Sequence, residues 1–275
     1  MKTIAEGKQA ALLKRYGTWA VVTGASSGIG RELAVGLAAS GFGVVLVARR
    51  AALLEELAAE LKDRFGVGTR ALAVDLATPG GARRVLDSVA DLDVGLLVNA
   101  AGFGTSGEFV ENEVEREAEM LEVNCRALLE LTHGFGRRFA GRGRGGIVLL
   151  SSIVAFQGVP RAANYAATKA YVQTLGEALR HELAPRGVDV LLSAPGPTHS
   201  GFAARAGMRM GAAEKPETVA AGTLDALGRG PLVVPGRFSK LLHWSLKLLP
   251  RFGRVLVMKS VMKSMTPAGA RPLQT

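Results

Sequence analysis

Seven short runs of apolar and β-branched residues punctuate the chain: TWAVVT (18–23), GVVLVA (43–48), RALAVD (70–75), VGLLVN (94–99), GIVLLS (146–151), VDVLLS (188–193) and LVVP (232–235). Their apolar positions are nearly continuous and do not alternate with polar ones, which is the pattern of strands buried on both faces. Between most of them lie Ala-, Leu- and Glu-rich stretches of helical period, such as AALLEELAAELKDRF (51–65). This alternation predicts an α/β fold, a doubly wound parallel sheet of about seven strands with helices on both faces. No repeat or linker divides residues 1–275, so one domain is expected, with an extension at about 236–275. Ligands of such sheets bind beyond the carboxyl ends of the strands, so motifs there carry the most meaning.

Composition narrows the class. The 275 residues are 48% hydrophobic and 21% charged, as in a packed globular protein. The single cysteine, Cys125, excludes an internal disulfide and suits a reducing compartment, so a cytoplasmic location is expected. The opening stretch MKTIAEGKQAALLKRYG is charged and reads as neither signal peptide nor anchor, and no apolar run is long enough to predict a spanning helix. The net charge of +10 is concentrated at one end. Residues 226–275 hold nine Lys or Arg and no Asp or Glu, which leaves 25 basic and 24 acidic side chains elsewhere. Few aromatics accompany that charge and no reading motif appears, so nucleic acid is not expected as a partner.

The first strand-end motif is TGASSGIG (23–30). Gly24, Gly28 and Gly30 permit a tight turn and close approach of backbone to a pyrophosphate, and Ser26, Ser27 and Ile29 complete the turn at a helix N-terminus. The spacing differs from G-x-G-x-x-G, so the reading rests on context. Residues 24–28 also fit G-x-S-x-G, the serine elbow of hydrolases, with Asp189 and His199 as possible partners. Such an elbow needs several strands before it, whereas this turn follows the first. At the second strand end, Arg49 stands where an acid would suit NAD, and its guanidinium suits a 2′-phosphate. Arg50 either helps or starts the next helix, and Arg31 adds positive charge nearby. NADP(H) is therefore favoured over NAD(H). Asp75 with Leu76, and Asn99 with Ala100 and Gly102, follow the third and fourth strands as further candidates beside the adenosine.

NYAATKAYV (164–172) places Tyr165 and Lys169 one helical turn apart on one face. Ser152 ends the fifth strand thirteen residues before Tyr165, so a serine and a tyrosine can converge on one carbonyl. Hydride delivery to a ketone builds negative charge on oxygen, which needs a proton donor and a hydrogen bond. A free phenol has a pKa near ~10, and a neighbouring ammonium is expected to lower it.

Together TGASSGIG, VDLA, NAAG, Asn124, Ser152, YAATK and APGPTHSGF resemble, in order, the short-chain dehydrogenase/reductase family over roughly residues 15–205. The resemblance implies a Rossmann fold, Ser152, Tyr165 and Lys169 as the catalytic core, and Asn124 as holder of a water linking the lysine to solvent. It also implies contacts of Tyr165 and Lys169 with the nicotinamide ribose, of Pro195 and Gly196 with the nicotinamide, and of Ser200 with its carboxamide. Two departures are Ala100, where a second asparagine is common, and Ser200, where a threonine is. GTWAVVTGASSGIG, FGVGTRALAVDLA and LDVGLLVNAAGFG are most similar to the long-chain 3-oxoacyl-CoA reductase and 17β-hydroxysteroid dehydrogenase branch. That implies a lipophilic ketone or alcohol as substrate and a homodimer or homotetramer.

The remaining candidates read more plainly. Cys125 suits a packed side chain. His133, His181, His199 and His243 lack ligand spacing, so no metal is expected. SGEFVENEVEREAEMLEVN (106–124) reads as a long helix with a solvated charged face. In the tail, Phe238, Leu241, Leu242, Leu248, Leu249, Phe252, Val255 and Leu256 recur at helical spacing around Pro250, interleaved with Lys and Arg. Three roles stay open for it: a cap on the substrate pocket, a subunit contact, or peripheral contact with an anionic membrane. A cofactor-binding protein with little turnover, working by such association, is the alternative to an enzyme.

Overall fold

The computed structural model describes residues 6–209 and 211–266; the expected extension beyond residue 266 lies outside the described residues. In chain order, the first half runs α1 (Glu6–Tyr16), β1 (Trp19–Thr23), α2 (Gly28–Ala38), β2 (Gly43–Ala48), α3 (Ala51–Phe65), β3 (Thr69–Ala73), α4 (Gly81–Asp87) and β4 (Val94–Asn99). The second half runs α5 (Val114–Leu121), α6 (Leu128–Arg142), β5 (Gly145–Leu150), α7 (Ala163–Leu183), β6 (Val188–Ser193), α8 (Phe202–Arg205), α9 (Pro216–Ala226), β7 (Leu232–Val233), α10 (Arg237–Lys247) and α11 (Arg251–Met265). The seven strands form one parallel sheet in the order β3-β2-β1-β4-β5-β6-β7, the doubly wound arrangement expected.

Two cores explain the unbroken apolar strands. One face of the sheet, with Val22, Leu46 and Val98, packs on Leu33 and Leu37 of α2, Leu54 and Leu61 of α3 and Leu224 of α9. The other, with Val21, Leu97 and Leu149, packs on Phe135 and Phe139 of α6 and Val172 of α7. In the central strands β1, β2, β4 and β5 nearly every residue is buried on whichever side it points, so apolar positions run almost unbroken, whereas the edge strand β3 is only partly buried and carries Thr69 and Arg70. A third, smaller cluster joins Val159, Ala162 and Ala166 to Leu246 of α10 and Met258 and Met262 of α11. None of the described helices is long and apolar enough to cross a membrane.

Strand order reverses between β1 and β4, and this opens a crevice at their carboxyl ends. Thr23 ties its two walls together. Its Oγ1 accepts hydrogen bonds from the Ala100 and Ala101 amides at 3.1 and 3.0 Å.

The long helix expected over 106–124 is shorter. Residues 106–113 form irregular chain and a single 3-10 turn, and α5 begins at Val114. Its charged face is not wholly solvated either. Glu117 is buried and accepts from Thr105 Oγ1 at 2.6 Å, Asn112 Nδ2 at 2.8 Å and Asn164 Nδ2 at 2.7 Å. This side chain pins the loop after β4 to the start of α7, where hydrogen bonds replace the lost water.

Candidate active site

A cavity of about 620 Å³ runs along the crevice. Its first end is the turn between β1 and α2. Gly24 and Gly28 adopt positive φ of 70° and 58°, and a side chain on Gly24 would meet the Ala100 carbonyl oxygen at 2.9 Å. One on Gly30 would collide with the Gly24 carbonyl, so α2 can pass this close only with glycine there. No side chain caps α2 at Ser27. The helix N-terminus therefore keeps amides for an anion, and residues Gly24 and Ser26 to Gly30 face the cavity.

Cations gather at this end. Arg50, the lesser candidate in the sequence, donates to Ser26 Oγ at 2.8 Å and Ser27 Oγ at 2.9 Å. Arg49 lies 3.4 Å from Glu119 and 3.9 Å from Asp75. Arg205 of α8 stacks 4.1 Å from the centre of the Phe103 ring and shares Glu119 at 3.6 Å. Three guanidiniums thus face two carboxylates, and positive charge is left over. Sequence reasoning missed Arg205, which reaches the site from a four-residue helix far along the chain. Arg31 does not add to the surplus, because it is spent on Glu32 at 2.7 Å and Glu60 at 2.5 Å.

Asp75 and Leu76 line the cavity, Asp75 also accepting from the Ala77 amide at 2.9 Å. Ala100 and Gly102 line it as well. Asn99 does not. It is buried, and its Nδ2 donates to Thr132 Oγ1 of α6 at 3.0 Å, because the last residue of β4 points into the core beneath the sheet.

At the middle of the cavity stand Ser152 and Tyr165. Ser152 Oγ donates to the Pro195 carbonyl at 3.3 Å, which anchors it to the loop after β6. The Tyr165 ring lies 5.1 Å from the Phe202 ring of α8. Gly104 passes so near that a side chain there would meet Tyr165 Cδ2 at 3.1 Å and Phe202 Cζ at 2.7 Å. Gly104 is a second positioning residue that no motif announced.

Lys169 and Asn124 lie behind this surface. Lys169 is buried, donates from Nζ to the Leu150 carbonyl at 2.8 Å and sits 5.9 Å from the centre of the Tyr165 ring. A side chain on Gly102 would meet Asn124 Oδ1 at 2.9 Å and Lys169 Nζ at 3.6 Å, so Gly102, which lines the cavity, packs directly in front of both. Asn124 occupies a π-helical turn (Glu122–Ala127) that joins α5 to α6. Its amide grips the Phe103 backbone, accepting from its N–H at 3.1 Å and donating to its carbonyl at 2.9 Å, and also donates to Thr168 Oγ1 at 3.0 Å. The Asn124 side chain is thus engaged in fixing the loop that carries Gly102 and Gly104.

Burial, and not the neighbouring ammonium, governs the phenol of Tyr165. Burial pushes Tyr165 up to about 12, against an opposing hydrogen bond from Ser152. Burial also brings Lys169 down to about 8, since an ammonium is costly away from water. Desolvation outweighs the pairing that the spacing suggested, and the phenol keeps its proton across the neutral range.

Pro195, Gly196 and Ser200 line the wall opposite the turn. The Gly196 amide donates to Ser239 Oγ of α10 at 3.2 Å, and a side chain on Gly28 would meet Ser200 Cβ at 3.1 Å. Beyond Tyr165 the lining turns apolar: Val154, Val159, Ala162, Leu242, Val261 and four methionines, Met208, Met258, Met262 and Met265. The tail therefore caps the cavity, the first of its three open roles.

The serine-elbow alternative fails on geometry. Asp189 lies at the start of β6, at the other end of the sheet, where it accepts from Arg15 at 2.6 and 2.8 Å and from Tyr16 at 2.7 Å. Ser26 and Ser27 are held by Arg50 and not by a histidine. Among the described residues no group of His, Cys, Asp and Glu could hold a metal ion.

Comparison with known proteins matches this arrangement. The short chain dehydrogenase family profile covers residues 18–210. A 7β-hydroxysteroid dehydrogenase of Clostridium sardiniense is 35% identical over 67% of this chain and 71% of its own length. A very-long-chain 3-oxoacyl-CoA reductase of Podospora anserina is 38% identical over 65% of this chain and 55% of its own. Among solved structures, a short-chain dehydrogenase from Sphingobium yanoikuyae in complex with NADPH superposes with a TM-score of 0.76 at 32% identity, over 84% of this chain and 94% of that one.

Proposed function

The chain belongs to the short-chain dehydrogenase family of oxidoreductases, and on that footing we propose that it interconverts a lipophilic ketone and its secondary alcohol with NADP(H). The observation that carries this reading is the meeting of three parts in one cavity: a glycine turn, the Ser152–Tyr165 pair and a methionine-lined end.

The residues fit a dinucleotide. The turn at Gly24 and Gly28 and the uncapped start of α2 suit a pyrophosphate. Arg49, Arg50 and Arg205 support NADP(H) over NAD(H), because their surplus charge favours a 2′-phosphate. The bound cofactor would supply or accept the hydride. The chain's own work is then proton transfer and charge stabilisation. Tyr165 Oη gives its proton to the carbonyl oxygen as negative charge develops there, and takes it back in the oxidative direction. Ser152 Oγ donates a hydrogen bond to the same oxygen. Lys169, directly behind, stabilises the phenolate left on Tyr165 when it carries its own proton, and so acts best below a pH of about 8. Asn124 holds the wall between Lys169 and the cavity.

The apolar end and the steroid and acyl-CoA relatives support a lipophilic substrate. Exposed Leu121, Leu129 and Tyr171 on α5, α6 and α7 support a homodimer or homotetramer. The test is NADPH consumption against steroid ketones, 3-oxoacyl thioesters and small ketones. The expected result is turnover that Tyr165→Phe lowers by about 10²–10⁴-fold while NADPH binding persists. NADPH binding without turnover of any ketone, or undiminished turnover by the variant, overturns the reading.

A further inference from the structure

Helices α10 and α11 present two faces. Inward, Leu242, Met258, Met262 and Met265 close the cavity. Outward, Leu241, Trp244, Leu248 and Phe252 are 70%, 63%, 87% and 74% exposed. Side chains of that size rarely cluster on a surface that meets water alone. Around them stand Arg237, Lys240, Lys247, Arg251, Lys259 and Lys263, all exposed. No ion pair among the described residues involves any of the six. The Lys247 ammonium rests 5.0 Å from the Trp244 ring centre.

We propose that this outer face seats on an anionic lipid bilayer, and that the cavity receives its substrate from the bilayer past α11. The second half of the proposal rests on the lipophilic substrate argued above. Two observations select the bilayer. The sequence of α10 and α11 contains no acid, and the six exposed cations on them have no ion-pair partner among the described residues, so this surface complements lipid phosphates. The cations also interleave with the apolar side chains instead of forming a separate block. Long Lys and Arg stems can thus lie along acyl chains while their heads reach the headgroups. The wall is one helix thick. Val261 both lines the cavity and is 36% exposed, so a lipid-dissolved ketone has only α11 to pass.

The experiment mixes the full chain with vesicles of phosphatidylcholine, or of phosphatidylcholine and phosphatidylglycerol. The expected result is co-sedimentation with the anionic vesicles, release by salt and a blue shift of Trp244 emission. A Leu248→Ser/Phe252→Ser variant and a Lys259→Glu/Lys263→Glu variant should each bind at least about tenfold more weakly. Both variants should lose turnover of a long-chain ketone carried in the vesicles and keep turnover of a short, water-soluble ketone. Wild-type chain left in the supernatant overturns the proposal. So does equal use of the vesicle-borne ketone by the variants, or a self-associated state that buries Trp244 and dissociates in Leu248→Ser. Loss of turnover with both ketones in the wild type would count against the catalytic reading instead, while the vesicle-binding arm still decides the surface.

Discussion

The two ends of the cavity are built by opposite means. At the nucleotide end the wall is backbone: Gly24, Gly28 and Gly30 hold main chain against main chain, and Thr23 bolts β1 to the loop after β4. At the far end the wall is built largely by four methionines, Met258, Met262 and Met265 on α11 and Met208 in the loop after α8. Backbone contacts cannot yield without moving a strand, whereas a thioether with three rotatable bonds adapts to what it touches. Under the function proposed above, the first construction suits a cofactor of fixed shape and the second an adaptable fit to a lipophilic substrate. The family profile ends at residue 210, before α9, α10 and α11.

The contrast can be broken most strongly at the turn. Gly24→Val should weaken NADPH binding by about a hundredfold, since a β-branched residue at positive φ adds strain to the clash with Ala100. Fluorescence titration of NADPH checks this, and unchanged affinity would mean the turn is softer than its contacts. A smaller effect is expected from side-chain charge at the same end. Arg50→Ala, and to a lesser degree Arg49→Ala, should lower NADPH affinity roughly tenfold and leave NADH nearly unaffected, as for loss of one charge-assisted hydrogen bond. The ratio of kcat/KM for the two cofactors measures it. The smallest effect belongs to the methionine end. Met262→Leu conserves volume but stiffens the wall, and should change KM by about two- to threefold, with opposite signs for substrates of different outline. A uniform change across a ketone panel would remove the distinction between the ends.

The same contrast explains what could be read from the sequence. Ser152, Tyr165 and Lys169 were legible because each is fixed by a strand end or a helical turn, and local spacing sets both. The turn at 24–30 was legible because only glycine satisfies it. Arg50 was undervalued because its partners, Ser26 and Ser27, are brought close by the sheet and not by the sequence. Arg205, Gly104 and Glu117 acquire meaning only from chain segments packed against them. Asn99 occupied the right strand end but the wrong side of the pleat. The tail's helical spacing was visible, yet apolar residues lie on both its faces. The methionines that line the cavity were passed over, since methionine at that spacing reads as ordinary core. The upward shift of Tyr165 was not legible for an energetic reason: spacing reveals a neighbouring charge and is silent about burial.

The clasp on Tyr165 bears on handedness. The Tyr165 ring packs against both Phe202 and the Gly104 backbone, so under the function proposed above its phenol would meet an incoming carbonyl from a fixed place in the cavity wall. On that reading, the configuration of the alcohol would be decided by which way round the substrate lies among the methionines. Reshaping that soft end could invert the product's stereochemistry with every reacting group left in place.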